Sequence, residues 1–351
     1  MKIGIVTFPR AINYGTSLQA VALRKVLIQG GNEVAFCEHA CKCMDASNAL
    51  FDIKQVTDMK YTVAHLCNLP TAWKRKRAFQ DFWKRWFQFS AQPLDTFDAV
   101  VTGSDQVWNY HLTDSDMFYY LDFKKSHAKK VAYAASFGLS GIPQEQYSTL
   151  RPLLEDFDYL SVREETATEI VRDICSKDIA CTVLDPTLLL NKAQWAEMSD
   201  LSIQDKGYIF VYTVFNSDTL WDFAQQLSKK TGLPIKTVGY SRFHRHDAQY
   251  SLTAGPAQWL SHMLGADYVV TNSFHGMAFS VNFQKNFYYE LPPSSSGVGS
   301  RLADMAKKYG LQERGIGKAA PEASIDWEHV ALALEEDRRS SMAFVQSFIQ
   351  K

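Results

Sequence analysis

Short apolar runs, each stopped by small polar residues and followed by helical periodicity, recur along the chain. Residues 2–8 read as a first strand, and Leu18, Val21, Ala22 and Val26 at helical spacing predict a helix from Ser17 to Gln29. Gly30-Gly31 closes that helix, and Glu33 to Cys37 gives a second strand. Further strands are predicted at Asp98–Thr102, Lys130–Ala134, Tyr159–Val162 and Cys181–Leu184, mostly with helical patterns between them. A polar stretch around Asn191–Lys206 separates this series from a second one, with strands at Tyr208–Thr213, Pro234–Gly239, Asp267–Thr271 and Asn286–Tyr289. The last predicted element is a long amphipathic helix from Trp327 to Gln350. This alternation predicts an α/β chain of two doubly wound parallel-sheet domains, residues 1–190 and 191–351, the second ending in the long helix. The poorly patterned stretch from residue 41 to about 70 reads as an insertion in the first domain, extending to about residue 90.

Within that insertion, Trp73 to Phe89 is strongly amphipathic. Phe79, Phe82, Trp83, Trp86 and Phe87 form one face, with Lys74, Arg75, Lys84 and Arg85 mostly off it. Such a helix either docks its aromatic stripe on the sheet, which is the expectation here, or lies on an anionic membrane surface.

Composition narrows the class. The 351 residues exceed what one core usually serves, and 37 basic against 38 acidic residues leave a net charge of −1. A broad electrostatic footprint for nucleic acid is therefore not expected. The N-terminus reads as a strand rather than a signal peptide, and no apolar run approaches the roughly 20 residues of a membrane span. A cytoplasmic protein is expected, with the inner face of the membrane left open. Cys37, Cys41 and Cys43, with His39 among them, lack the paired C-x2-C knuckles of structural zinc sites, so reduced, partly buried thiols are expected rather than a metal.

The candidate chemistry gathers at strand ends. The predicted strand ending at Thr271 runs into Asn272-Ser273-Phe274-His275-Gly276, and a helical pattern then begins. Turns of this kind lie at the carboxyl edge of α/β sheets, where ligands bind. Asn272 or Ser273 can cap the helix, and its first free N–H groups form an anion site. His275 in that first turn either moves protons beside a bound anion or holds the turn as a cap. Similar clusters follow other strands: Asn13-Tyr14-Gly15, Gly103-Ser104-Asp105-Gln106, Ser136-Phe137-Gly138 and Ser161-Val162-Arg163-Glu164. The fork of Arg163 matches a carboxylate or phosphate bidentately, or else pairs with Glu164 or Glu165. There is no P-loop, no G-x-G-x-x-G after the first strand, no H-E-x-x-H and no G-x-S-x-G. Asp114 and Asp116 form a D-x-D that follows no strand closely and reads as a solvated loop.

Taken in order, these blocks resemble the polysaccharide pyruvyl transferase family. The resemblance runs from Asn13-Tyr14-Gly15 and Leu18-Gln19-Ala20 through Gly103–Trp108, Ala134–Gly138, Ser161–Glu164 and Asp185-Pro186-Thr187-Leu188-Leu189 to Thr271–Gly276. It implies a GT-B-like pair of Rossmann-like domains, acceptor side first and donor side second, with the site in the cleft between them. It also implies transfer of pyruvate from phosphoenolpyruvate onto two hydroxyls of a sugar or lipid-linked oligosaccharide, forming a ketal with no cofactor and no metal. On this reading His275 and Arg163 are catalytic, and Asn13, Tyr14, Gly15, Ser104, Asp105, Gln106, Ser136, Phe137, Asn272, Ser273, Gly276 and Arg301 bind substrate. Members of the family often carry an arginine two positions before the motif histidine. This chain has Ser273 there, and Arg301 is the candidate for the missing charge. The competing readings are a glycosyltransferase of the same architecture using a nucleotide-sugar, and a non-catalytic glycan-binding relative.

Overall fold

The computed structural model describes residues 1–41, 59–123, 127–238, 247–292, 300–318 and 324–350. Its first sheet holds β1 (Lys2–Val6), β2 (Glu33–Cys37), β3 (Phe89–Ser90), β4 (Ala99–Thr102), β5 (Lys129–Ala135), β6 (Tyr159–Val162) and β7 (Cys181–Thr182), in the order β3-β2-β1-β4-β5-β6-β7. The second holds β8 (Ile209–Tyr212), β9 (Ile235–Val238), β10 (Ala248–Ser251), β11 (Tyr268–Thr271) and β12 (Asn286–Tyr289), in the order β10-β9-β8-β11-β12. Every strand pairing is parallel, as expected for strands buried on both faces. Strand order reverses between β1 and β4 in the first sheet and between β8 and β11 in the second. Open parallel sheets bind ligands at the carboxyl edge of such switch points.

Besides the short helices Tyr110–Thr113 and Lys192–Ala196, the helices among the described residues are α1 (Tyr14–Gln29), α2 (Met59–Trp86), α3 (Tyr147–Glu155), α4 (Glu165–Cys175), α5 (Asp218–Thr231), α6 (Pro256–Gly265), α7 (Phe274–Asn282), α8 (Ser300–Lys308) and α9 (Trp327–Ile349). Helix α1 begins three residues before the predicted start because Asn13, in extended conformation, caps it by accepting from the Thr16 N–H. Of the predicted insertion, α2 fills the second half, and residues 42–58, with Cys43, lie outside the described residues.

The aromatic stripe of α2 faces inward, with Phe79, Phe82 and Trp83 buried. Phe79 meets Tyr14 at 5.1 Å between ring centroids, and Tyr14 in turn meets Tyr212 and Trp259 of the second domain at 5.8 and 6.0 Å. The Tyr14 hydroxyl donates to the Ala254 carbonyl at 2.9 Å. One apolar cluster therefore runs unbroken from the first sheet into the second.

Helix α9 returns to the first sheet. Ser341 Oγ accepts from the Leu184 N–H, Lys129 Nζ donates to the Phe348 carbonyl, and Phe344 meets the rings of Tyr133 and Tyr159. On the way, Arg338 donates to the Leu188 carbonyl and to Asn282 Oδ1, tying the two halves together. Residue 190 thus divides the strands but not the last helix. Among the described residues no helix is long and apolar enough to cross a membrane.

Because the Phe79 ring is fully buried at this seam, Phe79→Ala is expected to cost about 3–5 kcal/mol in urea denaturation, against less than about 0.5 kcal/mol for the exposed Lys84→Ala. Similar costs for the two would contradict an inward aromatic face.

Candidate active site

The two switch points meet. Helix α1 starts beside the end of β1, α7 starts at the end of β11, and Gly15 lies flat against the imidazole of His275. A Cβ built on Gly15 would fall 2.1 Å from His275 Nδ1, so only glycine admits this approach. Ser273 caps α7, its Oγ accepting from the Gly276 N–H at 3.4 Å, and a Cβ on Gly276 would fall 2.2 Å from Thr271 Oγ1. His275 is thus held in the first turn of α7, its side chain 11% exposed.

What His275 faces is Asp185, in the turn after β7. Asp185 caps the short helix Pro186–Leu188, its Oδ1 accepting from the Thr187 N–H at 2.9 Å and the Thr187 hydroxyl at 2.7 Å. Its other oxygen accepts from Arg163 Nη1 at 3.0 Å and Ser104 Oγ at 3.2 Å, and stands 3.7 Å from His275 Nε2. Burial by itself would raise the Asp185 pKa. His275, Arg163 and the Thr187 hydroxyl outweigh it and hold the carboxyl well below its ordinary 3.8.

Arg163 sits at the end of β6 with its side chain 1% exposed, among three carboxylates. Besides Asp185 it has Glu164 at 3.5 Å and Asp105 at 3.8 Å. These acids are anchored in turn: Ser136 Oγ donates to Glu164 at 2.5 Å, and Thr16 Oγ1 donates to Asp105 at 2.6 Å. Arg163 lies 4.9 Å over the ring of Phe274, and Arg301, from α8, lies 5.7 Å over the same ring. Burial, then the neighbouring Arg163, lowers the Arg301 pKa to about 10 against the pull of Glu164, Asp105 and Asp185. Nη2 of Arg163 and Nε of Arg301 are buried without a hydrogen-bond partner, whereas Arg163 Nε faces Glu164 Oε2 at 3.5 Å. Both guanidinium groups line a cavity of about 640 Å³ that Asp185, Glu164, Phe274 and Asp304 also line. Buried donors of this kind are normally satisfied, so the open N–H positions of the two guanidinium groups are candidate anion contacts beside the carboxylates of Asp105, Glu164 and Asp185.

The structure divides the predicted residues. His275, Arg163 and Ser104 meet at Asp185, Gly15 abuts His275, Asp105 faces Arg163, Ser136 holds Glu164, and Arg163 and Arg301 line the cavity. Asn13 and Ser273 are caps, and Gly276 is a packing glycine. Tyr14 belongs to the domain seam, and Phe137 is fully buried against Trp108 in the first-domain core. Gln106 accepts from Asn109 Nδ2 and packs on Gly138, and Asn272 spans the Val214 N–H and the Phe215 carbonyl. The reading from sequence missed Asp185, Glu164 and Phe274 as site residues. Asp185-Pro186-Thr187 carries a local capping signal, whereas the other two gain their place only through tertiary packing.

The metal question changes too. His39 pairs with Asp116 at 2.6 Å and stacks on Phe118, so Asp116 is an anchored residue and not a free loop carboxylate. Cys37 and Cys41 are buried free thiols, and burial pushes the Cys37 thiol up to about 12. Among the described residues no group of His, Cys, Asp or Glu is arranged to hold a metal ion.

Comparison with known proteins adds the class. The architecture is GT-B-like, two parallel-sheet α/β domains facing each other across a cleft. It superimposes with a TM-score of 0.50 on a Listeria monocytogenes protein described as a UDP-N-acetylglucosamine 2-epimerase, at 10% identity over 98% of this chain and 90% of that one. The UDP-GlcNAc 2-epimerase of Methanocaldococcus jannaschii aligns over the whole of both chains at 11% identity and a TM-score of 0.49. The glycosyltransferase SsfS6 of Streptomyces sp. SF2575 aligns at 14% identity and 0.42 over 97% and 96%. At 10% identity the Listeria match speaks to the fold alone. No curated protein matches the chain in sequence. The profile of polysaccharide pyruvyl transferases matches residues 13–289, and the chain belongs to that transferase family.

Two outcomes follow from this geometry. Gly15→Ala forces the His275 ring or α1 aside and is expected to cost about 1–3 kcal/mol in thermal denaturation. An unchanged melting curve would show that the contact is loose. Asp185, with its folded pKa held down, stabilises the fold fully above its unfolded pKa and loses that contribution as pH falls. Below about pH 4 the wild type should therefore lose stability more steeply than Asp185→Asn, measured by urea titration across acid pH.

Proposed function

We propose that the chain transfers pyruvate from phosphoenolpyruvate onto two hydroxyls of a sugar, making a cyclic ketal on a polysaccharide or lipid-linked precursor. The observation that carries this reading is the pair of buried guanidinium groups, Arg163 and Arg301, with unpartnered N–H groups over one phenyl ring in one cavity. Phosphoenolpyruvate carries a carboxylate and a phosphate close together, and two planar forks suit two such groups. With serine at position 273, Arg301 supplies the second cation.

The chemistry needs a proton delivered to the enol CH2 carbon as one sugar hydroxyl bonds to C2 and returns its own proton to the carrier, giving a tetrahedral phosphate ketal. The C2–O bond to phosphate then breaks, the second hydroxyl bonds to C2, and its proton leaves with the inorganic phosphate. His275 is the proton carrier in this scheme, and Asp185 positions it and balances its charge, as a buried carboxylate does for a catalytic imidazole. Arg163 and Arg301 hold the donor and stabilise the charge that collects on the departing phosphate.

Arg301 is the informative residue to change. Removing Arg163 also strips Asp185 of its buried ion pair and threatens the fold, whereas Arg301 makes no ion pair among the described residues. Losing a charged hydrogen bond costs about 1.5–3 kcal/mol, so Arg301→Ala should weaken phosphoenolpyruvate binding by roughly one to two decades in calorimetry, with Arg301→Lys recovering part. His275→Ala should bind the donor nearly as well and turn over about 10²–10⁴ times more slowly. Tight binding of a nucleotide-sugar, with none of phosphoenolpyruvate, would move the protein to glycosyl transfer.

A further inference from the structure

The face of α2 opposite its aromatic stripe takes no part in the site. From Trp73 to Trp86 the helix carries Lys74, Arg75, Lys76, Arg77, Lys84 and Arg85 against the single acid Asp81. Trp73, Lys74, Arg77, Gln80, Asp81, Lys84 and Arg85 are exposed and recur at helical spacing, so they form one outward stripe about 18 Å long. Lys74, Arg77, Lys84 and Arg85 make no ion pair among the described residues, although Lys25, Lys130, Lys236 and Arg172 elsewhere on the chain all do. Trp73 is 53% exposed, its ring 5.7 Å from the Arg77 guanidinium.

We propose that this stripe docks the protein on an anionic phospholipid surface. Unpaired cations gain about fivefold in partitioning each near such a surface, and an exposed tryptophan at their end sits at the headgroup level. The chain as a whole is close to neutral, so the attraction is local to this helix. Lys74 and Arg77 also line a cavity of about 680 Å³ between α2 and β10, together with Tyr250, Thr253 and His262. His262 is 5% exposed with Nδ1 unpartnered, and Asp81 lines the same cavity. A single-stranded nucleic acid fits less well, because successive bases need successive rings and the stripe presents one.

The test is co-sedimentation with phosphatidylcholine vesicles and with vesicles that also contain phosphatidylglycerol, at low and high salt. Binding to the anionic vesicles alone, lost at high salt, is expected. Lys74→Gln, Arg77→Gln, Lys84→Gln and Arg85→Gln combined should weaken it by about two to three decades, and Trp73→Ser by several-fold. All five side chains are exposed, and circular dichroism verifies that the variants stay folded. Equal binding to both vesicle types, no binding to either, or displacement from vesicles by a short RNA oligonucleotide would each overturn the proposal. No catalytic assay enters, so the outcome is independent of which donor the cleft takes.

Discussion

The arrangement depends on one buried carboxylate. Asp185 is 2% exposed, and its two oxygens meet a residue of its own turn and groups from three other stretches of chain. Thr187 fixes Oδ1 from within the same turn, which sets the direction of Oδ2. Ser104 from the end of β4, Arg163 from the end of β6 and His275 from the second domain then converge on that second oxygen. Burying a charge is tolerable only when partners replace its lost hydration. Here two of the partners, Arg163 and His275, are also groups that the proposed chemistry uses, so on that proposal electrostatic satisfaction of the fold and assembly of the site are the same event.

That event needs both domains. His275 reaches Asp185 only because Gly15 allows α7 to abut α1, and that approach is held by the aromatic seam of Phe79, Tyr14, Tyr212 and Trp259. Helix α9 fastens the same seam from behind through Arg338 and Ser341. The cleft is therefore a pre-formed feature of apolar packing, with a small polar cluster set into it, which is the usual composition of a ligand site.

Most of the fold was legible because parallel strands buried on both faces read as apolar runs, and the helices between them keep their period. Strands β3 and β10 were not: the first has two residues, and the second, with Gln249, Tyr250 and Ser251 half exposed on a sheet edge, carries no apolar run. At the site, His275 and Arg163 announced themselves by local position, each at the end of a strand. Glu164 was legible only as a pairing partner of Arg163, its bond to Ser136 and its place on the cavity being tertiary, and Tyr14 and Phe137 looked like ligand contacts until burial placed them in packing. Asp116 misled for the same reason, its partner His39 being 77 positions away.

On the proposed function, the cluster around Asp185 releases phosphate from phosphoenolpyruvate only as pyruvate passes to a sugar. Phosphorus NMR of phosphoenolpyruvate with the protein, with and without a cell-surface glycan acceptor, measures this directly. The account predicts inorganic phosphate growing only when acceptor is present, matched by a new ketal methyl signal in the proton spectrum of the glycan. Phosphoenolpyruvate left intact while a nucleotide-sugar is consumed against the same glycan would contradict it.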